Sequence, residues 1–363
     1  MLPEREILSL HRAITAIRSV SGEESKVADF LAELLSKNGL SVSRIGNSVL
    51  ATLGSGPVLL FDTHLDTVPP APGWTREPWD VQSIDGKVYG LGSNDAKAAV
   101  AAMTAAFLAF READLPFTFA LALVEGEETR GTGTEAVLAE LARRGTPPAA
   151  AVVGEPTGLD LAIAQKGLMV LELVARGDAC HAAHAAALGA KNAARALARD
   201  LVALEQADFG PSHPQLGPIT LEPTQLRAGT ARNVVPGEAA AVLDVRITPA
   251  LSRREVVERI QRLVAGEVRV LSDRLVPRET PENAPLVEAA RRARPEADIR
   301  GSATLSDMVF MEGIPAVKCG PGKSERSHTP DEFVLESEIL EGARFYTRLV
   351  RAYAELRERE EAA

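Results

Sequence analysis

Short, unbroken apolar runs alternate with helix-like stretches through the first half of the chain, and each run stops at a polar cluster. Gly56 to Phe61 ends in Asp62-Thr63-His64, Phe117 to Val124 runs into Glu125, and Ala149 to Val153 precedes Gly154-Glu155. Unbroken rather than alternating apolar runs mark strands buried on both faces of a sheet. Between them, Asn94 to Arg111 has helical composition, with Asn94 or Asp95 placed as its N-cap. Thr134 to Arg144 is a second helix, stopped by Gly145. The alternation predicts an α/β domain with a mixed sheet covered by helices. Ligands of such sheets gather at the carboxyl ends of the strands. The clusters at Asp62–Asp66, Glu125–Glu128 and Glu155 all stand there.

The pattern changes after Lys166. Strands are expected at Leu168–Ala175, Ile219–Leu226, Ala239–Ile247 and Val268–Leu275, with helices at Ala190–Leu204 and Ser252–Val264. This reads as a smaller α+β domain at 167–277, inserted into a larger domain formed by 1–166 and 278–363. After Pro277 the first pattern returns, with a helix at Leu286–Arg294, a strand at Ala316–Cys319 and a closing helix from Glu336.

Composition narrows the function class. A chain of 363 residues suits about two domains of roughly 100–200 residues each. Its net charge of −10 argues against a nucleic-acid partner, which needs a basic surface. The N-terminal segment carries Glu4, Arg5, Glu6, His11 and Arg12 among apolar positions, unlike a signal peptide. No stretch approaches the ~18 apolar residues of a membrane span. Cys180 and Cys319 are the only cysteines, which offers no disulfide framework and fits a reducing cytoplasm. His11 reads as a surface or satisfied helix position, and Cys319 as a small core residue.

Five clusters carry candidate chemistry. In T-H-L-D-T-V at 63–68, His64 and Asp66 share one side of an extended segment, so a carboxylate can fix the tautomer of a ligating imidazole. Asp95 follows Gly90 and Gly92 in Y-G-L-G-S-N-D-A-K. Glu127 and Glu128 end the run in V-E-G-E-E-T, where like charges crowd unless something positive compensates. Glu155 stands in G-E-P-T and His328 in R-S-H-T-P-D-E-F-V. Taken singly, each has an ordinary structural explanation: a turn, an N-cap, an acidic surface. Taken together, they supply the mixed nitrogen and oxygen donors that zinc accepts. A bridging carboxylate would allow two ions about 3.5–4 Å apart, the spacing of two-metal hydrolases.

This ordered set of motifs resembles the M20 metallopeptidase and deacylase family over nearly the whole chain. The resemblance implies two divalent ions, Zn2+ or Co2+, with His64 and Glu155 on one, Glu128 and His328 on the other, and Asp95 bridging. It implies Glu127 as general base, Asp66 as the partner of His64, and a lid or dimerisation role for the inserted domain. In family members with this lid, a His from the partner subunit of a homodimer stabilises the tetrahedral intermediate. R-G-D-A-C-H-A-A-H at 176–184 makes His181 the better match and His184 a rival, with Cys180 where the family often has Gly.

Gripping a substrate carboxylate needs a cation. Arg246 in L-D-V-R-I-T-P can hold one by two parallel bonds. The resemblance supports Arg246, adds Asn233 as a donor and puts Gly322 on the pocket floor. The alternatives are a surface Arg246 paired with Asp244 or Glu238, and Arg232 in its place. Within the family, the phrases G-W-T-R at 73–76, A-I-A-Q-K-G-L-M-V-L at 162–171, A-G-T-A-R-N-V-V-P at 228–236 and G-P-G-K-S-E-R-S-H-T-P-D-E-F at 320–333 are most similar to acetylornithine deacetylases. The expected substrate is therefore a small N-acyl amino acid, N-acetylornithine first. Desuccinylases, carrier-protein-lysine hydrolases, di- or carboxypeptidases and a catalytically silent relative are the alternatives.

Overall fold

A computed structural model describes residues 2–362, with side chains through Arg359. The chain divides into two compact units. The larger comprises Met1–Ile163, Glu279–Arg300 and Ser306–Ala363, and the smaller Ala164–Arg278 with Gly301–Leu305. The smaller unit thus takes in a short return segment, Gly301–Leu305, that the apolar pattern assigned to the larger one.

The core of the larger unit is a nine-stranded mixed sheet. From one edge its strands are Val42–Ile45, Ser48–Leu53, Thr118–Val124, Val58–His64, Pro148–Val153, Ala316–Lys318, Leu161–Gln165 and Arg278–Glu279, with Ile299–Ser302 also pairing to Leu161–Gln165. Val58–His64 runs parallel to both of its neighbours, so His64 pairs with Val124 and Asp62 with Val153. Three polar clusters therefore emerge at the same end of the sheet.

Burial on both faces explains the unbroken apolar runs. Leu59, Phe61, Phe119, Leu121 and Val152 face one layer of helices, whereas Val58, Leu60, Ala120 and Ala122 face the other way. The first layer contains the helices Glu4–Ala16, Lys97–Ala109, Pro285–Ala293 and Glu336–Ala362. Val137 and Leu141 of the helix Thr132–Arg143 cover the opposite face, with Met308 and Met311. Each fully buried aliphatic or aromatic side chain contributes about 1.5–3 kcal/mol by leaving water. Phe61 and Phe119 add an edge-to-face contact, with centroids 4.8 Å apart.

The helix Lys97–Ala109 is buried on every side as far as Leu108. Its alanines let it lie close to the sheet and to two neighbouring helices at once. It starts at Lys97, with Ala96 at the N-cap, and not at Asn94 or Asp95. Those two side chains are engaged elsewhere, as described below.

The smaller unit is an antiparallel sheet in the order Thr220–Ala228, Glu238–Ile247, Gly167–Arg176, Glu267–Leu275. Met169, Leu171, Leu173, Leu243 and Val245 pack one face against Leu197 of the helix Ala193–Leu204 and against Val256 and Ile260 of the helix Arg253–Leu263. Ser252 and Glu255 close a capping box on the second helix. Among the described residues, no helix is long and apolar enough to cross a membrane.

Candidate metal centre

The strand ends bring His64, Asp95, Glu127, Glu128, Glu155 and His328 together in the larger unit. Asp95 lies between the two imidazoles. Its Oδ1 is 3.2 Å from His64 Nε2, and its Oδ2 is 3.8 Å from His328 Nε2. Glu155 Oε1 lies 3.9 Å from His64 Nε2, and Glu128 Oε1 lies 2.8 Å from His328 Nε2. Donor atoms of His64, Asp95 and Glu128 fall within 4.8 Å of one another, as do those of His64, Glu127 and Glu155. Each group combines one imidazole with two carboxylates, a donor set that suits zinc and its neighbours.

The electrostatics call for positive charge at this place. Burial, then repulsion from Glu155, pushes the Glu127 carboxyl well above the usual carboxylate range. Burial raises Glu155 to about 8, with Asp95 and Glu128 adding to the effect and Lys318 opposing it. Burial works against a charged His64, but contacts with Asp66 and Asp95 outweigh it and hold the imidazole well above its ordinary value. The hydrogen bond to Glu128 lifts His328 to about 9. Crowded buried carboxylates destabilise one another unless cations stand among them. The residues fit divalent ions.

Asp66 does more than face His64. His64 Nδ1 is 3.0 Å from the Asp66 carbonyl oxygen and 3.5 Å from its carboxylate. The carboxylate accepts from Glu127 N at 3.1 Å, Glu128 N at 3.2 Å and the Ser21 hydroxyl at 2.7 Å. It thereby orients the turn that carries both glutamates.

His328 has a left-handed backbone, with φ of 60°, and so does Asp331, with φ of 54°. Such angles are costly for residues with a Cβ and need surrounding support. Asp331 supplies it by accepting from Thr75 N and Arg76 N at 2.9 and 3.2 Å and from the Thr75 hydroxyl at 2.6 Å. Arg326 adds a paired contact to Glu338 at 2.7 and 3.1 Å. The phrases G-W-T-R and S-H-T-P-D-E are therefore halves of one structure.

Several site residues escaped the sequence reading. Glu332, buried, accepts from Gly92 N, Asn94 N and Asp95 N. Asn94, expected near a helix cap, instead donates to Lys323 O and Ser327 Oγ and accepts from Lys323 N at 2.9 Å. Asp62 and Asp307, both buried, share the Thr134 hydroxyl at 3.2 and 2.7 Å. One hydroxyl has one proton, so the second contact needs a protonated carboxyl. Burial accordingly raises Asp62 to about 7 and Asp307 well above its usual range. In the sequence Asp62 is only the first residue of the polar cluster that ends an apolar run, and nothing local links it to residues 134 and 307.

Of the other expected residues, Gly322 belongs to the larger unit, and His181, Asn233 and Arg246 belong to the smaller. Gly322 meets Asn94, whose Oδ1 would be 2.3 Å from an added Cβ, and it also lines a cavity of about 410 Å3 with Leu159, Arg294, Pro321 and Lys323. None of the six candidate ligand and base residues lines that cavity. In the smaller unit, a two-stranded ribbon pairs Cys180–His181 with Val234–Val235. Asn233 joins it through its carbonyl, which accepts from Ala182 N at 2.8 Å. His181 and His184 are both exposed, with ring centroids 5.6 Å apart. Arg246 makes a paired contact with Asp244, at 2.7 and 3.0 Å, which is the contact of the surface-Arg alternative. Arg232 is exposed.

A family model described as Peptidase family M20/M25/M40 matches residues 60–352. The chain belongs to this family. As an M20 member it is a hydrolase of amide bonds. A probable carboxypeptidase of Aspergillus terreus is 32% identical over 302 residues, covering 75% of this chain and 68% of that protein. A succinyl-diaminopimelate desuccinylase of Bordetella petrii is 29% identical over 280 residues, covering 73% of each. Among solved structures, aminopeptidase PepT of Bacillus cereus matches with a TM-score of 0.80 at 19% identity, over 97% of this chain and 99% of its own. The YXEP protein of Bacillus subtilis, described as a dinuclear metal binding peptidase from the M20 family, matches with a TM-score of 0.76 at 17% identity, over 97% and 98% of the two chains. These structural likenesses establish the M20 fold.

Proposed function

We propose that this M20 chain is a two-metal amidohydrolase of small N-acyl amino acids, with N-acetyl-L-ornithine, giving L-ornithine and acetate, as the first substrate to test. The observation that carries the metal reading is the division of the Asp95 oxygens between His64 and His328. His64 and Glu155 would hold one ion, Glu128 and His328 the other, and Asp95 both. Bound Zn2+ or Co2+ supplies a Lewis acid for the scissile carbonyl and lowers the pKa of water toward about 7.

The chain's own groups do the rest. Glu127 takes a proton from the attacking water on its carboxylate and later delivers it to the leaving amine, a contribution of about 10²–10⁴-fold. Asp66 keeps Glu127 and Glu128 in register through their backbone N–H groups. His181, supplied from a second copy in a homodimer, donates to the developing oxyanion, with His184 as the rival. Arg246 releases Asp244 to take the substrate carboxylate, and Asn233 donates beside it. The smaller unit acts as lid and dimerisation domain. Free thiols at Cys180 and Cys319 support a cytoplasmic setting.

The names of the relatives favour a second reading, a carboxypeptidase or desuccinylase with the same centre and a different pocket. Zinc-loaded protein should be assayed on N-acetylornithine, N-acetylcitrulline, succinyl-diaminopimelate and simple dipeptides. Preferred turnover of acetylornithine supports the first reading, and efficient dipeptide cleavage without deacylation supports the second. Glu127→Gln should abolish whichever activity is found while leaving ion binding intact. A variant that retained turnover would remove Glu127 from its role.

A further inference from the structure

Glu332 is 2% exposed, and neither of its carboxylate oxygens forms an ion pair among the described residues. They meet main chain instead. Oε2 accepts from Gly92 N at 3.1 Å, and Oε1 accepts from Asn94 N at 2.8 Å and Asp95 N at 3.0 Å. The Glu332 carbonyl accepts from Gly90 N at 3.1 Å and from the Ser93 hydroxyl at 3.4 Å. One residue thus holds the whole turn from Gly90 to Asp95, by its side chain and its backbone together. Successive N–H groups converging on one carboxyl group form a compact electrostatic cradle; they favour its charged form, but burial outweighs them and raises Glu332 to about 8. Lys97, wholly buried, lies close enough to interact electrostatically with Glu332.

Glu332 also follows His328 closely in the chain. The turn that carries Asp95 and the loop that carries His328 are therefore fastened to each other at Glu332, and again where Asn94 holds Lys323 and Ser327. We propose that Glu332 is a positioning residue that sets the Asp95 carboxylate between His64 and His328 before any cation arrives, and so governs divalent-ion affinity. The proposal rests on the two-metal reading above. It explains why a buried carboxyl group bonds the main chain of Asp95 and its neighbours.

The test is calorimetric titration of the full-length apo chain with Zn2+, comparing Glu332→Gln with the parent. Outer partners of metal ligands are worth about 10–100-fold in affinity or activity, and a loss of that size is expected here. The kcat on any substrate found should fall while KM changes little, because Glu332 lies beneath Asp95 and not against substrate. A folded variant that binds Zn2+ with parental affinity overturns the proposal. Should Glu332→Gln fail to fold, hydrogen exchange of the parent decides. A peptide spanning 90–97 should stay protected without cation, and free exchange there until Zn2+ is added overturns the proposal. A parent that binds no Zn2+ defeats the two-metal reading instead, and the same exchange measurement still decides whether the clamp exists.

Discussion

Changing Asp66 to Asn removes one carboxylate oxygen and one negative charge while keeping size and shape. Asp66 Oδ1 accepts from Glu127 N, and Oδ2 accepts from Glu128 N and from the Ser21 hydroxyl. In Asp66→Asn one of those positions becomes an NH2 group. The Ser21 hydroxyl can rotate and accept from it, but a backbone N–H cannot. Whichever way the amide turns, the N–H of Glu127 or Glu128 is left facing a donor in a partly buried place. A stranded buried donor costs about 1–3 kcal/mol, and the remaining bond loses its charge assistance. The turn carries both the proposed base and a proposed ligand, and a displacement of about 1 Å near the chemistry can cost about 10²-fold in rate. Urea unfolding of the apo protein should therefore show a lower midpoint for Asp66→Asn. Zinc titration should show weaker binding, and kcat should fall by about 10²-fold. An unchanged midpoint with unchanged zinc affinity would refute the reasoning, because it would mean that Asp66 does not hold the turn.

Two further outcomes follow from the same geometry. His11 is buried with its Nε2 bonded to Ser93 O, and burial lowers its pKa from 6.5 to about 4. The folded state thus resists a proton that the unfolded state accepts. The His11 contribution is complete above pH 6.5 and is lost as pH falls toward about 4, by ~3 kcal/mol in all. Urea midpoints measured from pH 7 to 4.5 should fall less steeply for His11→Gln than for the parent, and parallel slopes would contradict this. At Gly320 an added Cβ would sit 2.6 Å from Glu155 O and 2.9 Å from the Tyr346 hydroxyl. Gly320→Ala should weaken zinc binding and cost about 1–3 kcal/mol in stability by overpacking, both read by the same titration and urea assays.

The candidate centre was legible wherever an apolar strand stops at a polar residue. Thr118–Val124 and Pro148–Val153 form within one residue of the expected bounds, whereas Val58–His64 starts two residues late and runs past Phe61 through the polar cluster; the ends of the three strands carry the Glu127–Glu128 turn, Glu155 and His64. Period and burial fix such strands locally, so sequence alone could reveal them. The supporting layer was not legible. Glu332 acts on Gly92, Asn94 and Asp95 from 237 to 240 residues away in sequence, and no spacing rule reaches that far. The same long-range contacts explain the displaced helix start. Asn94 has the chemistry of an N-cap, but Lys323 and Ser327 occupy its side chain, so the helix begins at Lys97 without a side-chain cap. For His11, the surface alternative fails and the satisfied one fits, since the side chain is fully buried with its Nε2 bonded to Ser93 O, a partner 82 residues away. The edge hairpin of Val42–Ile45 and Ser48–Leu53 was missed because its short strands mix polar and apolar residues without the long runs of the central strands.

Anomalous diffraction from crystals of the zinc-loaded protein tests the central claim most directly. The account predicts two peaks about 3.5–4 Å apart, one beside His64 and Glu155, the other beside His328 and Glu128, with Asp95 touching both. A single peak, or zinc bound away from either imidazole, would contradict it.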